Sequence, residues 1–175
     1  LEAESNYTYG HSSEVAAIAL CIARSLELPE TEQYKIKMAA LLHDVGKFKI
    51  ACAIFNKPDI LDTLEFQLVK QHSFIGANII RSNPALGEIA DIVLHHHARW
   101  DGQGYPESLA ANNIPIGSRI ICIADAFQAM TSDRPWRKSL PAKQILTELR
   151  LGSGTQFDPK IVEIFIKANL NQVAC

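Results

Sequence analysis

The chain lacks several things, and each absence removes a class of function. It has no apolar run long enough to span a membrane. Its net charge of −2 leaves no basic footprint for a nucleic-acid polymer and no polybasic patch for a lipid surface. Its four cysteines, Cys21, Cys52, Cys122 and Cys175, contain no Cys-x-x-Cys pair, which argues against a zinc ribbon or a redox motif. No convincing period-two alternation marks a strand, and there is no internal repeat, low-complexity tract or linker. Cys21 and Cys122 sit in apolar helical runs and read as small core residues, so a reducing cytoplasm is the expected setting.

What is present is helix after helix. With 175 residues and 47% hydrophobic content, the chain is read as one all-α domain over 1–175. It begins with Leu and is expected to be the C-terminal output domain of a longer chain. His11, Val15, Ile18 and Ile22 mark a first helix over 11–27, and Pro29 ends that unit. Thr31 can cap a second helix, with Tyr34, Met38, Leu41, Leu42 and Val45 inward. Residues 48–62 read as a loop. Thr63 can cap a third helix to about Arg81, with Leu68, His72, Ile75 and Ile79 inward. A fourth carries Leu86, Ile89, Ala90, Val93 and His97. Pro115 opens a central, nearly all-apolar fifth helix. Pro141 and Asp158-Pro159 start the sixth and seventh.

The chemistry-bearing residues fall on separate helices. His43-Asp44 follows the apolar run Leu41-Leu42 and precedes Val45-Gly46-Lys47. Alone, the pair reads as a helix-end cap with a surface salt bridge. His11, His72 and His97 each lie on the apolar stripe of another helix. Consecutive His96 and His97 would point about 100° apart on a helix yet could share one metal near its end. Asp125 stands inside Ile121-Cys122-Ile123-Ala124-Asp125-Ala126-Phe127. A lone carboxylate buried there costs several kcal/mol unless it is paired or metal-bound. Each residue has an ordinary alternative: a hydrogen-bonded core histidine, a paired or capping aspartate, a solvated basic turn at Arg134, Arg137 and Lys138. Their coincidence on five helices favours a metal centre. Nitrogen and carboxylate donors without thiolate suit Fe, Mn, Ni, Co or Zn better than Mg or Ca.

His43-Asp44, with His96-His97 and Asp101-Gly102-Gln103-Gly104-Tyr105-Pro106, resembles the HD-GYP family of metal-dependent phosphohydrolases. The resemblance continues through Ile114-Pro115, Arg119-Ile120, Ala124-Asp125-Ala126, Thr131 to Pro135 and Gly154 to Pro159. It covers about residues 10–168. It implies an HD-type bundle of about seven helices with a Gly-Tyr-Pro loop. It also implies a bacterial signalling phosphodiesterase that hydrolyses cyclic di-GMP to linear pGpG, and in some members on to GMP.

Two divalent transition metals are expected, Fe or Mn first and Ni, Co or Zn as alternatives. The resemblance assigns His11, His43, Asp44 and Asp125 to one metal. Asp44 bridges to a second, held also by His72, His96 and His97. Lys47, Tyr105, Arg134 and Arg137 match substrate-contacting positions, and Gly102 and Gly104 shape the loop. Asp44 and Lys47 are the residues expected at the chemistry. Diguanylate cyclases of the GGDEF type and a second copy of the chain are the implied protein partners, with no membrane contact by this domain.

The sequence departs from the family pattern at several points. Ala98 stands where Glu usually follows the two histidines, Gln128 where Asp is common, and Trp136 where Tyr is usual. Tyr7 occupies a place where a few members carry a Glu for a third metal, so two metals are expected. His95 is read as surplus and partly exposed. Ala98 and Gln128 favour a second reading, a non-catalytic module that binds the nucleotide or a protein partner. The complete ligand set favours the enzyme.

Overall fold

A computed structural model describes residues 10–50, 54, 61–133 and 138–173. Seven α-helices and no strand occur among them: α1 (His11–Ser25), α2 (Glu30–Leu42), α3 (Thr63–Arg81), α4 (Ala90–Leu94), α5 (Ile116–Thr131), α6 (Ala142–Leu151) and α7 (Pro159–Val173). Short 3-10 turns lie at Val45–Lys49, Gly87–Ile89 and Ala111–Asn113. Tyr7, Cys52, Arg134, Trp136, Arg137, Cys175 and most of the expected 48–62 loop lie outside the described residues.

Proline sets several helix starts. Pro115 and Pro141 immediately precede α5 and α6, and Pro159 opens α7, where a fixed φ and a missing N–H cost nothing. Asp158 supports α7 by accepting from Lys160 N at 2.9 Å. Two expected caps are corrected. Thr63 is already inside α3; the cap is Asp62, which accepts from Glu65 N at 2.9 Å while Glu65 accepts from Asp62 N at 2.8 Å. This reciprocal box satisfies two backbone donors that a lone Thr could not. Helix α2 starts at Glu30, so Thr31 is not its cap either.

Helix α5 is central, as its apolar sequence implies. It packs against α1, α2, α6 and α7, with Ile120, Ile121, Ile123 and Ala124 buried. Val15, Ala19 and Ile22 of α1 and Ile36 and Ala39 of α2 complete one shared core, closed by Leu149 and Phe165. The inner stripes differ from expectation in two helices. Tyr34 is 64% exposed, and Ile36, Ala39 and Ala40 carry α2's buried face. On α3, Leu68 and Ile79 are exposed, while His72, Ser73, Gly76, Ala77 and Ile80 face inward. Cys21 and Cys122 are half-buried rather than central.

The buried face of α3 is made of small residues because a backbone passes against it. A methyl group on Gly46 would collide with the His72 carbonyl oxygen. Glycine at 46 therefore lets the turn after His43-Asp44 sit directly on α3 beside His72. The fourth helix is shorter than expected. It ends at Leu94, so His95, His96 and His97 lie in the turn beyond it.

Candidate metal centre

Each donor arrives by a short local route. His43 follows the last residue of α2, and Asp44 leads into the Val45–Lys49 turn. His72 is in mid-α3, the His96-His97 pair follows α4, His11 opens α1 and Asp125 lies on α5. Ligand atoms of His72, His96 and His97 all fall within 4.8 Å of one another. Those of His11, His43 and Asp125 do the same, as do those of His43, Asp44 and His96. The seven expected ligands are thus brought together, in two triads with Asp44 between them.

Asp44 touches both triads. Its Oδ2 is 3.4 Å from His43 Nε2 and 3.9 Å from His11 Nε2, and its Oδ1 is 3.4 Å from His72 Nε2. Oδ1 is buried without a hydrogen-bond partner. Lys47 Nζ reaches Oδ2 at 2.5 Å. Burial pushes the Asp44 carboxyl up, but His43 and Lys47, with His72 and His96, outweigh it and hold it well below the usual range. Asp125 is partly exposed, not buried as expected, and its Oδ1 lies 3.4 Å from His11 Nε2.

The histidines are held in one tautomer. Nδ1 of His43, His72 and His96 lies 2.7, 2.5 and 2.6 Å from the carbonyls of Ala40, Val69 and Val93. Each is the carbonyl three residues back. Those of Ala40 and Val93 lie in the last turn of a helix, where carbonyls have no partner within the helix. A carbonyl only accepts, so Nδ1 carries the proton and Nε2 turns its lone pair into the cluster. Burial lowers the pKa of His72, drives that of His96 well down and brings His97 to about 4. The rings of His72, His96 and His97 are therefore neutral donors. Two such lone pairs, on His72 and His96, meet at 3.2 Å. That arrangement, with the orphaned Asp44 oxygen, fits a bound divalent cation.

The Gly-Tyr-Pro loop covers one side. His97 and Tyr105 stack with centroids 4.8 Å apart, and Tyr105 N donates to the His97 carbonyl at 3.3 Å. Burial, then Asp44 and Asp125, raises the Tyr105 phenol, which stays protonated. A methyl on Gly104 would collide with the Arg99 nitrogen and the His97 carbonyl, so only glycine fits. Gly102 has φ of 79°, in the left-handed region. The Gly154-to-Phe157 segment pins this loop: Trp100 N and Asp101 N donate to the carbonyls of Gln156 and Thr155 at 3.2 and 2.8 Å.

His95 differs from expectation. It is buried, not partly exposed; its Nδ1 bonds the Asp91 carbonyl, and its Nε2 lies 3.5 Å from Glu107, away from both triads. Lys70, which the helical pattern does not single out, places Nζ 5.6 Å from the Tyr105 ring centroid and 4.7 Å from that of Phe66. No carboxylate among the described residues lies within ion-pair distance of it. Its only sequence signal is a position two residues before His72.

A family model described as HD domain matches residues 1–161. The chain belongs to the HD domain family. Among curated relatives, this HD domain is 41% identical over 162 residues to a cyclic di-GMP phosphodiesterase of Thermotoga maritima, covering 91% of the chain and 44% of that protein. It is 38% identical to a 3′3′-cGAMP-specific phosphodiesterase of Vibrio cholerae, over 95% of the chain and 32% of that protein. The HD domain chain thus spans less than half the length of these relatives. Among solved structures, a cyclic GMP-AMP-specific phosphodiesterase of V. cholerae matches with a TM-score of 0.71 at 22% identity, over 92% of the chain and 44% of that structure. The phosphodiesterase HD domain of L. monocytogenes in complex with cyclic-di-AMP matches with a TM-score of 0.65 at 19% identity, over 95% and 91%. These likenesses establish the HD fold.

Proposed function

We propose that this chain is one HD-GYP domain that hydrolyses cyclic di-GMP to linear pGpG through two divalent transition metals, Fe or Mn. The observation that carries the reading is the position of Asp44 against both triads, His72–His96–His97 and His11–His43–Asp125. His11, His43, Asp44 and Asp125 would hold one metal, and Asp44, His72, His96 and His97 the other. When bound, such a pair supplies Lewis acidity toward a phosphodiester and makes hydroxide available near neutral pH. The chain's own residues do the rest. The imidazoles of His72, His96 and His97, kept neutral by burial, are ready to coordinate without first losing protons. Lys47 stands on Asp44, where its ammonium meets an anionic phosphate. Tyr105 offers a protonated hydroxyl from the loop, and Lys70 a second cation at the rim. Arg134 and Arg137 are assigned to the nucleotide by resemblance alone.

The scaffold reading rests on Gln128 and on Ala98. Two duties a glutamate at 98 would perform are already filled. Arg99 is held by Asp101 through bonds of 3.0 and 2.6 Å, and three ligand histidines by backbone carbonyls. That supports turnover over binding alone. The test is hydrolysis of cyclic di-GMP and of the mixed cyclic dinucleotide by purified protein with Mn²⁺ or anaerobic Fe²⁺. Metal content is measured on the same sample, and pGpG and GMP are resolved. About two metals per chain with no turnover of either substrate would overturn the enzyme reading in favour of a receptor. Sedimentation and pull-down with a GGDEF-type diguanylate cyclase test the implied homodimer and partner.

A further inference from the structure

Gln128 is buried on α5, three residues beyond Asp125, and its side-chain amide is fully engaged. Oε1 lies 2.8 Å from His11 Nδ1. Nε2 donates to Glu14 at 2.9 Å and to Ser132 Oγ at 2.8 Å. Oxygen and nitrogen of a carboxamide are close to interchangeable in shape, so the surroundings choose which faces which. Turned over, the amide would set its oxygen against the Glu14 carboxylate, two acceptors with no proton between them. Its NH2 would face His11. Glu14 thus selects the orientation in which oxygen faces the imidazole. An amide oxygen only accepts, so His11 carries its proton on Nδ1. Nε2 is then the free donor atom, 3.4 Å from Asp125 and 3.9 Å from Asp44.

We propose that Glu14 and Gln128 form a positioning relay that fixes the tautomer and direction of His11 and so sets the affinity of the His11–His43–Asp125 metal site. The proposal rests on the two-metal reading above. It assigns a role to two residues outside the ligand set, one of them on the exposed face of α1. A carboxylate at 128 would also accept from His11 but would repel Glu14. Glutamine is the side chain that accepts on one side and donates on the other. The departure at 128 and the acid at 14 are therefore one matched arrangement.

The experiment is competitive titration of the metal-free protein with Co²⁺, resolving two binding steps, together with long-range ¹H–¹⁵N NMR of the histidine rings. Gln128→Leu is expected to weaken one step by about 10–100-fold and leave the other unchanged. It should also release His11 from the Nδ1–H tautomer. The exchange Glu14→Gln with Gln128→Glu keeps one acceptor for His11 and one donor between the two sites. It should bring the affinity back to within about threefold of the starting protein, a rescue that simple packing loss would not show.

Unchanged Co²⁺ affinities in Gln128→Leu would overturn the relay, as would a failed rescue in a folded exchange variant. If Gln128→Leu does not fold by circular dichroism, two measurements decide instead. Glu14→Ala, at an exposed position, must weaken the same step, and the native protein must show His11 protonated on Nδ1; the opposite of either overturns the relay. Metal affinity is read without substrate. A native protein that binds two Co²⁺ but never cleaves a cyclic dinucleotide would therefore sink the enzyme reading while leaving the relay in place.

Discussion

The Nε2 atoms of His72 and His96 face each other at 3.2 Å, with the Nδ1 proton of each ring already given to a backbone carbonyl. Neither nitrogen can donate to the other, so the pair is repulsive until a cation lies between. Metal removal is therefore expected to cost stability. A metal at about 100 times its Kd adds roughly 2.7 kcal/mol to the folded state. Thermal melts with chelator and with saturating Mn²⁺ should show the midpoint rising with metal. An unchanged midpoint would mean that the two rings are not part of a metal site.

Asp44→Asn keeps the shape of the side chain and removes its charge and one donor oxygen. Because Asp44 lies against both triads, the loss is expected at both metals. Turnover should fall by more than about 100-fold, beyond the cost of losing even an outer partner of a ligand. Metal content per chain should fall below two. Full activity with two bound metals would remove Asp44 from the bridging position.

Lys70→Met keeps the apolar stem and deletes the ammonium. The expected effect is a rise in KM for cyclic di-GMP of about tenfold, the order of one charge-assisted hydrogen bond to the substrate. Metal content and kcat should stay as they were. A loss confined to kcat would place Lys70 in the chemistry instead of at the rim.

Most of the helical layout is legible in the sequence, because its apolar residues recur at helical spacing and its prolines sit at helix starts. The misread face of α3 has a local cause: Leu68 and Ile79 look inward by size, yet the close approach of Gly46 to His72 and Gly76 calls for small residues on the inner side. The ligand set is legible because His and Asp are scarce on apolar stripes. The turn at His95 to His97 reads as helix, since nothing in the residues before it marks a stop at Leu94. The Glu14–Gln128 contact is not legible at all. It joins residues 114 positions apart, through an amide that periodicity treats as surface.

Gly104→Ala tests the loop. The added methyl must displace the His97 carbonyl or the loop itself, an overpacking that typically costs about 1–3 kcal/mol. Thermal stability and turnover should fall together, with metal content less affected. A fully active, equally stable variant would show that the loop tolerates a side chain there and that the close approach is not required.

Cys122 gives the pH-dependent prediction. The residue is half-buried as a whole, but desolvation of its sulfur, then the Asp125 carboxylate, pushes its thiol up to about 12, from an ordinary value near 9. Between those values the unfolded chain loses a proton that the folded chain keeps, so stability falls as pH rises through that window. Below it the folded thiol is almost never a thiolate. At pH 8, iodoacetamide should modify Cys122 of the native protein on the order of 1,000-fold more slowly than in urea. Equal rates, read by mass spectrometry, would contradict the burial.

The contact between Gly46 and the His72 carbonyl bears on how the centre forms. Donors at 11, 43, 72, 96 and 125 are scattered along most of the chain, and no helix by itself supplies a triad. A collapsed intermediate with its helices formed but α3 not yet seated would hold no metal pair. Uptake of the second metal, the one that needs His72, thus reports when α3 is seated. In stopped-flow refolding, the second of two Mn²⁺ binding steps should lag the recovery of helical circular dichroism and keep pace with the burial of α3.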